Sequence, residues 1–486
     1  MHRREFLMAS ASLAFSSLAS SSVPGSRISV QLAPPSADWP LIPADFLGLS
    51  YESGQLYNPD FFSPRNQPLI AAFRDLNPTG ILRLGGHLSN IAPWEGVGLN
   101  DPKQIRGVRH GIEDYWEWPL VDPTIQRNKH GMLTRKALQN LRGFLDAVNW
   151  RLIYGLNFAC GSAARAADEA SAVASIMGDC LIAFVVGNEA DGFAEDPFFR
   201  DKDYGVSQYL AEYETWVRTI RQRVPHANFA GPDTDGKVDT WVLKYARRTR
   251  GDAILLTSHF YGMGPASDPS MTAERLLRKV NPDLEAQIAA VAHARRAAGG
   301  TPYRMDEGNS CFGGGRKDVS DAYASALWAA DYILKSACAG FAGVNFHGGG
   351  IGVYTPIETS DTAPALPRPV YYGMKFAQKF SGYRVAPCPL DTPANITAYQ
   401  GVKPEGSNQT SRNPKKQLLA LVNKGNAAVQ LTLPPSFASA RHLQQWNLTG
   451  PSLTAKTGIN FAPAPHARTS TSIEIPADSA AIFEIE

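Results

Sequence analysis

Eight short apolar segments recur along the chain, and each ends in a polar or glycine-rich cluster. Most are apolar at consecutive positions, which is typical of strands that are buried on both faces of a parallel sheet. The eight predicted strands, numbered one to eight, are Phe46–Glu52, Gly80–Gly86, Trp150–Asn157, Ile182–Glu189, Phe229–Asp233, Ile254–Tyr261, Tyr303–Asn309 and Gly343–Gly350.

Helical patterns separate these segments. Arg135–Asn149, Ser207–Val224 and Ala322–Ala339 each carry apolar residues at helical spacing. Eight strand–helix alternations within about 300 residues predict a (β/α)₈ barrel, the TIM barrel. A doubly wound open sheet also alternates, but it usually has fewer strands and a glycine-rich turn after the first. The first segment here ends in Ser50-Tyr51-Glu52 instead.

The pattern changes after about residue 380, where strand-like alternation replaces long helices. We predict a catalytic barrel over residues 41–378 and an all-β sandwich over residues 379–486. The segment 26–40 is predicted to lend a strand, Arg27–Leu32, to the sandwich, while Val402–Arg412 and Pro434–Ala440 are predicted loops. The half-buried strands expected in the sandwich are Gln417–Asn423, Ala428–Leu433, Ser472–Ile475 and Ser479–Glu486.

The first 25 residues have the pattern of an export signal. Arg3 and Arg4 precede a charge-free stretch, Phe6–Gly25, which is rich in Ala, Leu and Ser. The adjacent arginines resemble the twin-arginine type, which predicts a bacterial protein exported to the periplasm or secreted. The alternative is an unprocessed N-terminus. No other stretch reaches about 18 apolar residues, so no membrane association is expected after signal removal.

The charge balance and the cysteines exclude several other classes of protein. Lys plus Arg (47) against Asp plus Glu (45) leaves a net charge of +2, whereas a nucleic-acid binder is usually far more basic. Five scattered cysteines form neither a disulfide framework nor a zinc motif. His259 and His347 have no third ligand at metal-binding spacing in the sequence and are interpreted as pocket walls. We therefore expect neither a metal nor a cofactor, and we interpret Cys311 as structural.

Two carboxylates lie where a barrel carries its catalytic groups, at the C-terminal ends of strands. Glu189 ends predicted strand four in Gly187-Asn188-Glu189, and Glu307 lies in predicted strand seven. Glycoside hydrolysis requires such a pair: one protonates the leaving oxygen, and the other attacks the anomeric carbon or activates water. Either residue alone is more commonly a salt-bridge partner, but the two together indicate a glycosidase.

The chain resembles glycoside hydrolase family 79, which comprises β-glucuronidases and heparanases within the clan of retaining (β/α)₈-barrel glycosidases. The resemblance runs from about residue 28 to the C-terminus and weakens in the β domain. It rests on seven stretches in order, which are Gly80–Gly86, Trp150–Asn157, Gly187–Asp191, Phe229–Asp233, Ser258–Tyr261, Glu307–Cys311 and Asn345–Gly350.

The resemblance implies a role for each matching residue. Glu189 would be the general acid and then the general base, and Glu307 the nucleophile of a double displacement. Asn188 would direct its amide to the sugar 2-hydroxyl. Arg83 and Tyr261 are candidate donors that hold Glu307 ionised, although a buried ion pair and a core aromatic explain them equally. We expect the two carboxyl groups about 5–5.5 Å apart.

The loop after predicted strand seven matches the family's uronate-recognition loop. Its successive glycines Gly313, Gly314 and Gly315 can form an anion-binding nest, or simply a flexible turn. Phe312 stands where relatives have a tyrosine, whereas Tyr354 matches another family tyrosine. The remaining departures near the site are His87 in place of an asparagine, Asn90 in place of a glutamate and Ala190 in place of a proline.

The sequence therefore predicts a retaining exo-β-glucuronidase that acts on terminal, modified or unmodified, glucuronic acid in glycans or glycosides. An endo-acting heparanase-like hydrolase is the first alternative, with a basic group for sulfated sugars at Lys103, Arg106, Arg109 and His110. A non-catalytic carbohydrate-binding barrel is the second. The expected partner in each case is a carbohydrate.

Overall fold

The computed structural model describes residues 28–96, 131–349, 352–359, 364–404, 416–464 and 471–486. The predicted export signal, residues 1–25, lies outside the described residues. So do the basic group Lys103, Arg106, Arg109 and His110, and the last residue of predicted strand eight.

Eight parallel strands form a closed barrel in the order of the sequence, so the predicted TIM barrel is confirmed. Strand four ends at Val186, three residues before Glu189, which places the glutamate in the loop at the barrel mouth. In chain order, barrel strands one to eight are Leu47–Glu52, Ile81–Gly85, Arg151–Leu156, Leu181–Val186, Phe229–Thr234, Leu255–Tyr261, Tyr303–Asn309 and Gly343–Gly348.

Amphipathic helices cover the outside of the barrel. In Arg135–Val148 the buried residues recur every three or four positions, and Thr134 caps the first turn by accepting the amide proton of Ala137. Among the described residues, the α-helices of the barrel domain are Gln67–Leu76, Arg135–Val148, Ala163–Met177, Val206–Arg223, Leu243–Arg248, Ala273–Leu276, Pro282–Ala297, Tyr323–Cys338 and Pro369–Gln378. Within the described part of the chain, no helix combines the length and the apolar character needed to cross a bilayer.

The C-terminal region is an all-β sandwich, as predicted, with a six-stranded antiparallel sheet against a three-stranded one. Ile28–Ser29 pairs in parallel with Val429–Thr432 in the smaller sheet. The larger sheet contains, in spatial order, Arg384–Pro387, Ile396–Val402, Gln417–Asn423, Ser479–Ile485, Leu443–Thr449 and Asn460–Pro463, and the smaller contains Ile28–Ser29, Val429–Thr432 and Ser472–Ile475.

The strands Gln417–Asn423 and Ser479–Ile485 are buried on both faces, so their prediction as half-buried strands is wrong. Leu419 and Leu421 face the smaller sheet, whereas Leu418 and Ala420 belong to the core shared with the barrel. The large sheet is thus a middle layer, and alternate residues contact different cores. A short helix, Pro435–Ala438, also lies inside a segment predicted as loop.

The sandwich supports the loop that follows barrel strand seven. Lys456 forms ion pairs with Asp318, at 2.8 Å, and with Asp321, at 2.7 Å. The backbone N–H of Tyr323 donates to the carbonyl of Ala455 at 2.8 Å. These contacts fix the end of a loop whose beginning lies at the barrel mouth.

Candidate active site

Arg83 of strand two lies at the centre of a buried polar network at the barrel mouth, with its side chain only 1% exposed. It donates to the carboxylates of Glu307 and Asp233. It also donates to Asn188 Oδ1, at 2.7 Å, and to Ser50 Oγ, at 3.2 Å. One guanidinium therefore joins residues that lie on or just after strands one, four, five and seven.

Glu189 follows strand four in a left-handed backbone conformation, with φ 50°. Its backbone N–H donates to the carbonyl of Asp233 at 2.7 Å, which fixes this unusual turn. Its carboxylate contacts two imidazoles: Oε1 lies 2.6 Å from His259 Nδ1, and Oε2 lies 3.4 Å from His87 Nε2. The side chain is 16% exposed, so it is accessible from the mouth.

Glu307 lies in strand seven and is almost fully buried. Tyr261 donates its hydroxyl proton to Oε1 at 2.9 Å, while Arg83 donates to Oε2. His347 Nδ1 lies 3.7 Å from Oε2. One carboxylate oxygen of Glu307 lies within 4.8 Å of one carboxylate oxygen of Glu189.

The cations around Glu307 keep it ionised. Burial alone would raise the pKa of Glu307, but His347, His259 and Arg83 outweigh burial and hold the pKa well below its ordinary value. Burial would lower the pKa of Arg83, yet Asp233 and Glu307 raise it above its ordinary value. Burial and the charge of Glu307 raise the pKa of Tyr261, so its hydroxyl keeps the proton it donates. Glu307 is therefore an oriented carboxylate.

Glu189 shares its proton with a neighbouring imidazole. Burial would raise the pKa of Glu189, but His87 and the hydrogen bond to His259 lower it below its ordinary value. Burial would lower the pKa of His259, whereas Glu307, Asp233 and Glu189 raise it well above its ordinary value. The proton of this pair therefore resides mainly on His259 in the free protein, one hydrogen bond from Glu189.

A second carboxyl pair, Asp233 and Asp306, lies beneath Arg83. Burial would raise the pKa of Asp233, but Arg83 and the hydrogen bond with Asp306 hold it well below the ordinary value. Burial and the charge of Asp233 raise the pKa of Asp306 well above the ordinary value. The raised pKa of Asp306 beside the lowered pKa of Asp233 favours a neutral acid at Asp306 and an ionised carboxylate at Asp233.

Two sets of side chains have donor atoms close enough to share a metal ion. Glu189, His259 and Glu307 form one set, and Asp233, His259 and Asp306 form the other; within each set the atoms lie within 4.8 Å of one another. Both sets depend on His259, whose raised pKa favours an imidazolium without a free lone pair. Arg83 already donates to two of the carboxylates, so the charge around these oxygens is satisfied without a metal.

The structure brings the predicted residues Asn188, Asn90 and His87 to the same mouth. Asn90 donates to the backbone carbonyl of Asn188 at 2.9 Å, and its Oδ1 accepts the Asn188 backbone N–H at 3.3 Å. Among the described residues, the buried Nδ2 of Asn188 has no hydrogen-bond partner. A buried amide donor without a partner is costly unless a ligand binds it.

Three consecutive glycines after strand seven adopt a backbone conformation that other residues rarely reach. Gly313, Gly314 and Gly315 all have positive φ, between 82° and 89°. A side chain at Gly315 would collide with Tyr354, which is buried and packs 6.1 Å from the ring of Tyr261. The loop and Tyr354 are therefore adjacent to the two glutamates.

Phe312, which stands where the resemblance implies a tyrosine, has an exposed ring. Its ring leans over Gly264 and is 45% exposed, at 6.4 Å from the ring of Tyr261. Its backbone N–H donates to the carbonyl of Met263 at 3.0 Å. The ring is therefore presented to solvent beside the mouth.

Sequence reasoning assigned no role to several residues that the structure places at the site. Glu52 ends strand one and accepts the backbone N–H of Leu88 at 2.8 Å, with His347 Nε2 3.6 Å away. Asp233 and Asp306 lie within conspicuous stretches, but nothing in their spacing indicated a shared proton. The available signal was their position, because both lie on barrel strands near the carboxyl ends that meet at one mouth.

Comparisons with known proteins agree with this architecture. A β-glucuronidase of Aspergillus niger is 24% identical over 396 residues, 71% of this chain and 66% of that protein. The heparanase of Gallus gallus is 23% identical over 326 residues, 58% of this chain and 59% of that protein. The chain thus spans less than two thirds of either relative. No family model matches it.

Among solved structures, a 4-O-α-L-rhamnosyl-β-D-glucuronidase from Fusarium oxysporum matches with a TM-score of 0.69 and 17% identity, over 94% of this chain and 100% of that one. The chain has the fold of that enzyme. Together with the named relatives, this likeness supports the resemblance to glycoside hydrolase family 79.

The opposite pKa shifts of Asp233 and Asp306 predict that the same substitution, aspartate to asparagine, changes the free energy of unfolding differently at the two positions. Asp306→Asn should destabilise the protein less than Asp233→Asn at pH 8, because the raised pKa of Asp306 favours a neutral side chain at that position in the fold. The unfolded state ionises Asp306 above about pH 4, so wild type loses stability as pH rises and the variant does not. Asp233→Asn should cost about 3–5 kcal/mol at pH 7, because Arg83 loses a buried carboxylate.

Urea unfolding of wild type and both variants at pH 4 and pH 8 measures these differences. The stability of Asp306→Asn relative to wild type should improve between the two pH values. Equal destabilisation by both variants at pH 8 would show that Asp306 is ionised in the fold.

Proposed function

We propose that this protein is a glycoside hydrolase, a retaining exo-β-glucuronidase that removes terminal β-linked glucuronic acid by double displacement. The observation that carries the proposal is the pair of glutamates with oxygens within 4.8 Å of each other. Retaining enzymes keep their carboxyl groups about 5–5.5 Å apart, whereas inverting enzymes need roughly 6.5–9.5 Å for a water. The approach of two carboxylate oxygens to within 4.8 Å supports the shorter spacing, at which Glu307 can attack the anomeric carbon directly.

In this mechanism Glu307 attacks the anomeric carbon. Its two oxygens are distinguished by their donors, because Tyr261 binds Oε1 and Arg83 binds Oε2. Because the pKa of Glu307 lies well below its ordinary value, its carboxylate is ionised throughout the working pH range. The same donors then stabilise it as the leaving carboxylate when the covalent intermediate breaks down.

Glu189 transfers the proton to the leaving oxygen and later removes one from water. Its carboxylate in the free protein is ionised, so the proton must come through the hydrogen bond from His259 Nδ1. Bound substrate excludes water and adds a uronate charge, and both changes raise the pKa of Glu189. His259 is in this account a proton-holding partner of the acid rather than a metal ligand.

The sugar itself would be recognised by groups around the glutamates. Asn188 Nδ2, which has no partner within the described residues, is the donor for the 2-hydroxyl. The positive-φ glycine loop and Tyr354 supply N–H and O–H donors for the C5 carboxylate. Without the tyrosine at position 312, the carboxylate has one donor fewer than the resemblance implies.

Two other functions predict different behaviour. A heparanase-like endo hydrolase, favoured by the likeness to the Gallus gallus protein, would cleave internal bonds in sulfated chains. A carbohydrate-binding protein would cleave nothing. The Fusarium enzyme is named for a rhamnosyl-capped glucuronide, which supports testing a 4-O-capped substrate here. We also propose that the N-terminal segment exports the protein, so that it meets extracellular glycans.

A panel of p-nitrophenyl glycosides separates these functions. We expect release of p-nitrophenol from the β-glucuronide. A 4-O-rhamnosyl glucuronide tests whether a capped glucuronic acid is accepted, and heparan sulfate tests whether internal glucuronic acid is cleaved. Cleavage of heparan sulfate into oligosaccharides, without release from the simple β-glucuronide, would favour the endo enzyme. Binding without cleavage of any substrate would contradict an enzymatic role.

Variants of the two glutamates should fail in different ways. Glu189→Ala should slow the cleavage of natural glycosides by about 10²–10⁴-fold, because their leaving alcohols need the proton. With p-nitrophenol as leaving group, formation of the covalent glycosyl-enzyme should persist. Added azide should then restore turnover by attacking this intermediate, which gives a β-glycosyl azide as product. Glu307→Ala should abolish turnover with every leaving group, and azide could yield only the α-glycosyl azide.

Product analysis by NMR measures both outcomes. If the two variants lost activity equally on both substrates, and azide rescued neither, these role assignments would be wrong.

A further inference from the structure

A cavity of about 550 Å³ lies beside the two glutamates. Its walls come from the loop after strand five, from the end of strand six, and from helix Pro282–Ala297. His259 and Tyr261, which contact Glu189 and Glu307 respectively, line the same cavity. The cavity therefore adjoins the reacting groups.

The cavity lies on the side of the proposed acid. Asp235, on its rim, donates its backbone N–H to Asp191 Oδ1 at 3.2 Å, and Asp191 is two residues after Glu189. Lys237 donates to the carbonyl of Asp191 at 3.0 Å. In contrast, Tyr354, which the proposed function assigns to the sugar carboxylate, is not among its lining residues. The loop that carries Asp235 and Lys237 therefore packs against the segment that follows Glu189.

We propose that the cavity is the leaving-group subsite and that it accepts an uncharged, hydroxyl-rich sugar ring attached to the glucuronic acid. The inference rests on the proposed function and adds the class of the leaving group. Two features of the cavity, an exposed aromatic ring and a carboxylate without a partner, determine this class.

Phe312 provides the aromatic surface. Its ring is 45% exposed, lines the cavity and is held over Gly264 by backbone hydrogen bonds on both sides. These run from Phe312 N–H to Met263 O, at 3.0 Å, and from Ala266 N–H to Phe312 O, at 2.9 Å. The C–H face of a sugar ring packs well against such a fixed apolar surface.

Asp235 provides the polar contact and the selectivity. Within the described part of the chain, its carboxylate has no hydrogen bond or ion pair, whereas Glu189 lies near enough to act on it electrostatically. Partial burial among the cavity residues raises the pKa of Asp235 to about 6, with Glu189 acting in the same direction and His259 opposing it, while the side chain keeps its contact with solvent. At neutral pH this carboxylate accepts sugar hydroxyls and repels sulfate or carboxylate groups.

The basic residues of the cavity do not reverse this preference, because three of them already have acidic partners. His259 Nδ1 lies 2.6 Å from Glu189 Oε1. Lys237 lies 3.3 Å from Asp191 Oδ2. Arg278 donates to the side chain of Asn281 and lies 3.4 Å from Asp283 Oδ2. The remaining cation, Arg275, is exposed and donates to Ser270 Oγ at 3.4 Å.

The test compares kcat/KM on three glucuronosyl donors: a disaccharide with a neutral leaving sugar, the same disaccharide sulfated on that sugar, and β-glucuronosyl fluoride. Fluoride leaves without occupying the cavity. Phe312→Ala should lower activity on the neutral disaccharide about 10-fold more than on the fluoride, and Phe312→Tyr should retain it. Asp235→Asn should reduce the preference for the neutral over the sulfated disaccharide about 10-fold. Asp201→Asn, an exposed acid elsewhere, is the matched control.

The possible outcomes separate the subsite from the catalytic proposal. Wild type that cleaves none of the three donors would overturn both. Cleavage of all three, with equal losses in Phe312→Ala on disaccharide and fluoride, would overturn the subsite alone. A wild-type preference for the sulfated disaccharide would also overturn it. Thermal unfolding of each variant confirms that these exposed substitutions leave the fold intact.

Discussion

The buried guanidinium of Arg83 is the interaction on which the mouth of this barrel depends. It contacts side chains contributed by or just after strands one, four, five and seven, and only a closed barrel brings those positions together. A buried cation is costly without carboxylate partners, and buried carboxylates are costly without a cation. Each therefore requires the other, and Glu307 becomes an oriented carboxylate as a consequence of the fold.

The two glutamates differ because their neighbours differ. Glu307 contacts an arginine that cannot give up its proton, so it stays ionised. Glu189 contacts His259, whose proton can move along a hydrogen bond of 2.6 Å. The permanent cation Arg83 therefore suits Glu307 to act as a nucleophile, and the titratable His259 suits Glu189 to transfer a proton. The protonated Asp306 below limits the negative charge that Arg83 must balance.

Much of the barrel was predictable because most of its strands are continuous apolar segments, a local property of the sequence. The glutamates were predictable because strand ends meet at one mouth. The charge distribution was not, since the shared proton of Asp233 and Asp306 depends on distances that the sequence does not contain. Phe312 was interpreted only as a missing hydroxyl, whereas its ring is directed to a neighbouring cavity. The double burial of Gln417–Asn423 also escaped prediction, because it depends on docking against the barrel.

The most direct test of the account is to trap its covalent intermediate. A 2-deoxy-2-fluoro-β-glucuronosyl fluoride should inactivate the protein, because the 2-fluorine slows both displacement steps while the fluoride leaving group keeps the first one accessible. Peptide mass spectrometry should then find a single added fluoroglucuronosyl group on Glu307, in wild type and in Glu189→Ala. The account would be contradicted if the label resided on another residue. It would equally be contradicted if an active enzyme formed no covalent adduct and released the inverted anomer.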